Sequence, residues 1–338
     1  MGLFGGGAVA PTHAHTAHPS APIPVQGAPL GSHIRVPLGE TGMSIFPLLL
    51  GGAEFGWHID LSASHRILDH YRERGGNALH TADTFSSGRS EHIIGQWIRE
   101  RGVRGQTVLG VRVGAHPEHP GLGSTNLIRA VEASLQRLQT DYIDVLYLDG
   151  SADADTSLED TLATTEWLVE SGKVRALGAV GFTAAQLVEA RILSSAGYPR
   201  ITVVDVPYNV LRRAEFEGDL KLVAGAQGIA VTASHPLEHG YLSGAHRSRA
   251  EVSQSVRGVQ LAAAMNRRGA RTLRALDRVA QELSISPAGV AIAWLLAQRG
   301  VTAPIAGAFA LSHIDDLVQG VGAKLSRAHL AEIARASQ

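Results

Sequence analysis

From residue 34 to its end the chain repeats one two-part unit: a short run of branched apolar residues, then a longer stretch with apolar residues near a 3.6-residue period. Eight strand-like runs alternate with helical stretches, at 47–50, 78–80, 108–113, 143–148, 174–179, 202–206, 229–233 and 304–306. Between them, Ile67, Leu68 and Tyr71 recur at helical spacing within 64–74, and Ile128, Val131, Leu135 and Leu138 share one face of 127–138. Ser286-Pro287 opens a further helix running through Leu296, with proline in the first turn, where its missing N–H costs nothing. Strands joined by helical crossovers pair in parallel. The pattern alone allows two α/β folds, a closed (β/α)8 TIM barrel or an open doubly wound sheet. Ahead of the first unit, 34–36 and 43–45 flank a glycine-containing turn and predict a small hairpin that closes the bottom of a barrel.

Residues 1–32 are rich in Gly, Ala, Pro and His and have no apolar period, so they read as a disordered tail ahead of one domain over 33–338. His13, His15 and His18 read as part of that solvated tail rather than as metal ligands. A chain of 338 residues suffices for one barrel plus a tail. The formal net charge of −1 gives no basic field to attract nucleic acid or an anionic membrane. Cysteine is absent, which removes disulfides, thiolate metal sites and a cysteine nucleophile. No apolar run reaches the length of a membrane span, and no secretory signal is visible at the start. The expectation is a cytoplasmic protein, with a homo-oligomer allowed.

Four motifs carry the functional signal. The stretch Leu79-His80-Thr81-Ala82-Asp83-Thr84-Phe85-Ser86-Ser87-Gly88-Arg89-Ser90-Glu91 resembles the aldo-keto reductase motif "(I/F)DTAxxYGxGxSE". Val108-Leu109-Gly110-Val111-Arg112-Val113-Gly114 resembles "VxxTKxG", and the run from Asp141 to Asp149 resembles "DYIDLxxxH". The resemblance extends over nearly all of 34–338 and favours the (β/α)8 barrel over the open sheet. It places His80, Phe85, Arg112 and Asp149 where the family has its catalytic Asp, Tyr, Lys and His. In the family, the resemblance implies, the tyrosine hydroxyl protonates a carbonyl oxygen as hydride arrives from NADPH. Phe85 has no proton to give, and Arg112 stays charged at any working pH.

The cofactor motifs are altered too. Leu177-Gly178-Ala179-Val180-Gly181-Phe182 resembles "LGxSNF", with Val180 and Gly181 for the Ser and Asn that hold the nicotinamide carboxamide. Asp205 stands for the carboxamide-binding Gln of "xQxxYN", and Ser234 for the stacking Tyr of "AYSPL". The segment 304–311 resembles the one that offers a base to the 2′-phosphate, but it contains neither Lys nor Arg. The stretch from Pro236 to Leu242 resembles the cofactor loop "PLxxGxL". The expectation is a site without a resident cofactor, or one that binds NADPH weakly or unusually.

Loss of constraint would replace buried catalytic groups by small or apolar ones, since unpaired buried charge is expensive. His80, Arg112 and Asp149 do not fit that account. As neighbours they predict a compensated trio with His80 as acid or base, Asp149 as its partner and Arg112 as oxyanion holder. Glu54, His58, Phe85, His116, Asp205, Tyr208, His235, His239 and Tyr241 complete the expected rim of a small-molecule pocket. His116, Glu118 and His119 approach metal-ligand spacing but read as a solvated loop. The leading expectation is a cofactor-independent lyase, dehydratase, isomerase or cyclase acting on a carbonyl-containing metabolite, in the setting of secondary metabolism. The alternatives are an NAD(P)H-dependent oxidoreductase with a rearranged site, drawing its proton from Tyr208, Tyr241, His80 or water, and a non-catalytic scaffold or binding protein.

Overall fold

The computed structural model describes residues 34–338 apart from 154, 254 and 256. The tail read over 1–32, with its three histidines, lies outside them. Two short strands, β1 (Val36–Pro37) and β2 (Ser44–Ile45), form the hairpin, with Val36 paired antiparallel to Ile45. Eight strands follow: β3 (Leu49–Gly51), β4 (Ala78–Ala82), β5 (Val108–Val113), β6 (Ile143–Asp149), β7 (Val174–Val180), β8 (Ile201–Pro207), β9 (Ala230–Ser234) and β10 (Val301–Ala306). All their pairings are parallel, and β10 pairs with β3 to close a barrel. Closure leaves no sheet edge, and strands covered on both faces need continuous apolar runs rather than alternation. Every residue of β6 is buried.

The helices form an outer ring: α1 (Leu61–Glu73), α2 (Arg89–Arg101), α3 (Ser124–Leu138), α4 (Leu158–Glu170), α5 (Ala184–Ser195) and α6 (Asp219–Gln227). Between β9 and β10 the chain makes a 3-10 turn over Glu238–Ser243, then α7 (Arg249–Ser253), α8 (Gly258–Ala264), α9 (Arg267–Leu283) and α10 (Pro287–Leu296). The barrel is followed by α11 (Leu311–Gly322) and α12 (Arg327–Ala336). Ser286 caps α10 through the Gly289 N–H at 3.1 Å, with Pro287 at the first helical position, as the Ser-Pro pair predicts. No single helix among the described residues is long and apolar enough to cross a membrane.

The hairpin plugs the barrel at the N-terminal ends of its strands. Leu38, Met43 and Ile45 pack on the inward side chains of Leu49, Ala78, Val145, Val203 and Ala230. A β-carbon on Gly39, whose φ is +55°, would sit 3.0 Å from the Thr202 carbonyl oxygen, so the hairpin turn needs glycine there. With the bottom sealed, the opposite rim is left for chemistry.

One helix contact gives a direct test of the packing. A β-carbon on Gly95 would lie 2.5 Å from the backbone of Leu138, so α2 and α3 meet through bare backbone. Gly95→Ala is expected to cost about 1–3 kcal/mol, because overpacking must move one helix. An unchanged urea midpoint for this variant would show that the helices have slack.

Candidate active site

Inward residues alternate along each barrel strand, and neighbouring strands contribute them in layers. In the middle layer β4, β6 and β8 bring His80, Tyr147 and Asp205, all buried. The strands between them bring small residues: Gly110 on β5, Gly178 on β7 and Thr232 on β9. β-carbons on Gly110 and Gly178 would lie 2.8 and 2.6 Å from the Tyr147 ring, so the two glycines make the space that this ring fills. Two residues on, towards the rim, stand Arg112, Asp149, Val180 and Ser234.

Arg112 occupies the middle of this rim. Its side chain is 27 % exposed, and its nearest carboxylate is that of Asp149, with Nε 3.7 Å from Oδ2, too long for a hydrogen bond. The guanidinium carbon lies 5.5 Å from the centre of the Phe85 ring, which gives the cation an aromatic face. The positive charge of Arg112 acts on His80, Asp83, Asp205 and His235.

The expected trio is only half assembled. Asp149 Oδ1 accepts from the Ser151 amide at 3.1 Å and from the Ser151 hydroxyl at 2.5 Å, and its other oxygen faces Arg112. His80 instead packs edge-on to Tyr147, with ring centres 5.2 Å apart, and to Phe85 at 6.4 Å, and its Nε2 has no hydrogen-bond partner. Burial, with the Arg112 charge adding to it, pushes the His80 pKa down to about 3. His80 is therefore neutral near pH 7 and a weak base, which corrects its assignment as the proton-exchanging group.

Asp205 has the opposite character. It is 5 % exposed, and its Oδ1 has no partner. Burial pushes its pKa up to about 6, against a hydrogen bond from Ser234 and the charge of Arg112, while Asp149 adds to the rise. A pocket of about 540 Å³ opens beside it, walled by residues that include Gly181, Phe182, Pro207 and Asp219. Asp83, which the sequence reading did not single out, is also buried and pushed up to about 6.

Several expected rim residues follow strand ends but are engaged with other partners. Tyr208 is fully buried between Phe216 and Trp294, and its hydroxyl donates to Glu217 at 2.7 Å. Tyr241 is buried against Gly269 of α9. The Tyr208 hydroxyl is thus committed to Glu217. After β3, Glu54 and His58 pair with each other: His58 Nδ1 is 2.5 Å from Glu54 Oε2, and the buried Glu54 also pairs with Arg257. His58 stacks on Trp57 with ring centres 4.1 Å apart. Nothing local in the sequence couples Arg257 to Glu54, since the two meet only when the barrel closes. His116 accepts from the Glu118 amide at 3.2 Å and stands 6.4 Å from the His119 ring. Among the described residues, no three His, Asp or Glu side chains are placed to hold a metal ion.

The loop after β9 has an unusual backbone. His235, Glu238, His239 and Gly240 all have positive φ, at 53°, 45°, 57° and 102°. Leu237 precedes the last three at φ −106° and ψ 14°. A right-handed residue followed by a left-handed one curls successive N–H groups into a concave nest suited to an anion. Side chains fix the loop: Asn209 donates to Glu238 at 2.6 Å, and Arg212 donates to the same carboxylate at 3.1 Å. The His235 and His239 rings lie 4.8 Å apart, and burial first, then the neighbouring His239, pushes His235 down to about 4.

The sequence model of the aldo/keto reductase family matches residues 47–338. A probable voltage-gated potassium channel subunit beta of Arabidopsis thaliana is 30 % identical over 84 % of this chain and 90 % of its own length. The aldo-keto reductase ausK of Emericella nidulans is 30 % identical over 90 % of the chain and 81 % of its own length. The norsolorinic acid reductase of Aspergillus flavus is 28 % identical, over 93 % and 83 %. The family match and two relatives named reductases overturn the expectation of a cofactor-free site, because enzymes of this family typically draw hydride from a nicotinamide dinucleotide. That expectation weighed the side chains lost at Val180, Gly181, Asp205 and Ser234 and gave too little weight to backbone. The stretch Leu237–Gly240 resembles the family's cofactor loop, and within it the Glu238 and Gly240 N–H groups donate to the His235 and Leu237 carbonyls at 3.0 Å, leaving those of Leu237 and His239. By a match that spans most of its length, on a closed barrel with its polar rim, this chain belongs to the aldo/keto reductase family.

Proposed function

We propose that the protein is a nicotinamide-dinucleotide oxidoreductase that interconverts a small carbonyl compound and its alcohol, with Arg112 holding the oxygen and Asp205 carrying the proton. The observation that carries this reading is Arg112 itself. It is a partly exposed guanidinium at the centre of the rim, whose nearest carboxylate, that of Asp149, is 3.7 Å away. Its fork of N–H donors is free to meet an oxygen on which negative charge develops. The loop Leu237–Gly240 and Ser234 would hold the dinucleotide, which supplies hydride when bound.

Without a phenol at Phe85, another group must move the proton. Asp205 suits that role because its pKa, pushed up to about 6, puts both protonation states within reach near neutrality. In reduction its carboxyl gives a proton to the substrate oxygen, and the resulting carboxylate takes one back from solvent through the adjoining pocket. In oxidation the carboxylate accepts the alcohol proton. Reduction should therefore slow as pH rises through about 6, and oxidation should speed up over the same interval. Phe85 contributes an apolar wall and a face for Arg112. The family membership and the relatives named reductases support the reading.

Titration with NADPH and NADH, followed by cofactor fluorescence and calorimetry, tests it. Saturable micromolar binding of one of them, with turnover of an aldehyde or ketone from a panel, is the expected result. No binding at millimolar cofactor would overturn it. Binding without turnover of any panel member would favour a non-catalytic binding or scaffold role; the Arabidopsis relative is named as a probable channel subunit.

A further inference from the structure

The cavity beside Asp205 offers far more space than the passage of a proton needs. Its volume of about 540 Å³ is that of a site for a small organic molecule. It lies where β7 and β8 end and α5 and α6 begin. Phe182, Val206, Pro207 and Leu220 give it apolar sides. Asp205, Glu215 and Asp219 supply its charge, and among the described residues no Lys, Arg or His lines it. Asp205 is buried and closes the inner end, with Oδ1 unpartnered. Glu215 and Asp219 are exposed and mark the mouth. Arg212 reaches Glu215 only at 3.5 Å, and its guanidinium is engaged by Glu238 at 3.1 Å. The start of α5 adds few free donors, because its capping box ties the Thr183 N–H to the Gln186 side chain at 2.9 Å and the Gln186 N–H to the Thr183 hydroxyl at 3.2 Å.

Carboxylates around an apolar cavity repel anions and gain from a counter-charge. A metal ion would need them closer together: among the described residues, no three His, Asp or Glu side chains are placed to hold one. An organic ammonium needs no such convergence, since each of its N–H groups can meet a single carboxylate while its hydrocarbon part covers the apolar sides. We propose that this cavity is a substrate subsite for an organic ammonium group, so that the carbonyl compound taken at the rim also bears a protonated amine. Glu215 and Asp219 hold the cation at the mouth, the apolar sides take the hydrocarbon portion, and Asp205 joins the subsite to the rim, where Arg112 stands. The two ends of such a substrate are told apart by charge. Its oxygen goes to the guanidinium and its ammonium to the carboxylates; reversed, the ammonium would face Arg112 and be rejected.

The substrate class rests on the oxidoreductase reading, but the subsite does not, and it can be tested without cofactor. The experiment is calorimetric titration of the full chain at pH 7 with benzylamine, which is protonated there, and with benzyl alcohol, which has nearly the same shape and no charge. The amine should bind saturably and at least about tenfold more tightly than the alcohol. In the double variant E215Q/D219N, which alters exposed residues, the amine should fall to about the affinity of the alcohol, and the alcohol should not change. Should that variant fail to fold, added salt replaces it: in the wild type it must weaken the amine and spare the alcohol. Equal affinities for the two probes, or an unchanged amine affinity in E215Q/D219N, overturn the proposal even if the protein proves to be an oxidoreductase. Selective amine binding with no turnover of any carbonyl leaves the subsite standing and removes the oxidoreductase reading. If turnover is found, an amino ketone should exceed its deamino analogue in kcat/KM by about tenfold, and preference for the uncharged analogue overturns the substrate assignment.

Discussion

Replacing Asp205 by Asn should make the protein less sensitive to alkali and, in the same step, strip it of turnover. Asp205 is 5 % exposed, and burial is the main reason its pKa stands at about 6 rather than the ordinary 3.8. A carboxyl whose folded-state pKa is raised stabilises the fold fully below its unfolded pKa and loses that contribution as pH rises through the folded value. Over the full interval from about pH 3 to 8 the loss is about 3 kcal/mol, and roughly half of it falls between pH 5 and 8. Asn carries no charge to desolvate, so D205N should gain about 1.5 kcal/mol on the wild type between pH 5 and 8, whatever its stability at the acid end. Urea denaturation at the two pH values gives the difference directly, and parallel pH dependences would show that Asp205 does not ionise inside the fold. Asn also cannot deliver or accept the proton, so the stabilised variant should be inactive in both directions. A buried carboxyl that costs stability at working pH is the kind of group that functional sites hold.

The architecture was readable because it rests on local signals. Apolar runs bounded by turns marked the eight barrel strands to within a few residues, and Ser286-Pro287 fixed the start of α10. The chain between β9 and α9 was not read as helical: α7 and α8 are short, and their residues follow no long apolar period. The site was legible in part. Motif position gave the heads of β4, β5 and β6, so His80, Arg112 and Asp149 could be named, but their mutual contacts could not. A one-dimensional reading cannot foresee that Asp149 is held by Ser151 two residues on, while His80 turns towards Tyr147. Tyr208 and Tyr241 belong to the stretches that resemble "xQxxYN" and "PLxxGxL"; in the fold Tyr208 donates to Glu217, a structural role, and Tyr241 packs against Gly269. Tyr147 did leave a trace in the sequence, a bulky residue at an inward position with Gly110 and Gly178 on the flanking strands. That trace has meaning only once the pairing Tyr147 to Gly178 is known.

Removing the Arg112 guanidinium should be the most damaging single change to activity. Met keeps much of the stem and loses the fork, so R112M should lower kcat for carbonyl reduction on the order of 100- to 1,000-fold, the usual cost of deleting a donor aimed at developing oxyanion charge. KM should move less, because charge on the oxygen is greater in the transition state than in the bound carbonyl. R112K should fall between, as a point charge without the two-pronged geometry. The same substitution has a second, independent signature. The Arg112 charge helps hold His80 down and works against the rise of Asp205. In R112M both pKa values should climb, and the fall of residual reduction with pH should move to higher pH. A variant that merely distorted the rim would lose rate without moving that profile in a set direction. If R112M keeps its rate, the oxygen is held by another donor and the role assigned to Arg112 is wrong. If it loses rate with an unmoved profile, Arg112 holds the oxygen but does not act on Asp205, and the proton must come from a group beyond the reach of its charge.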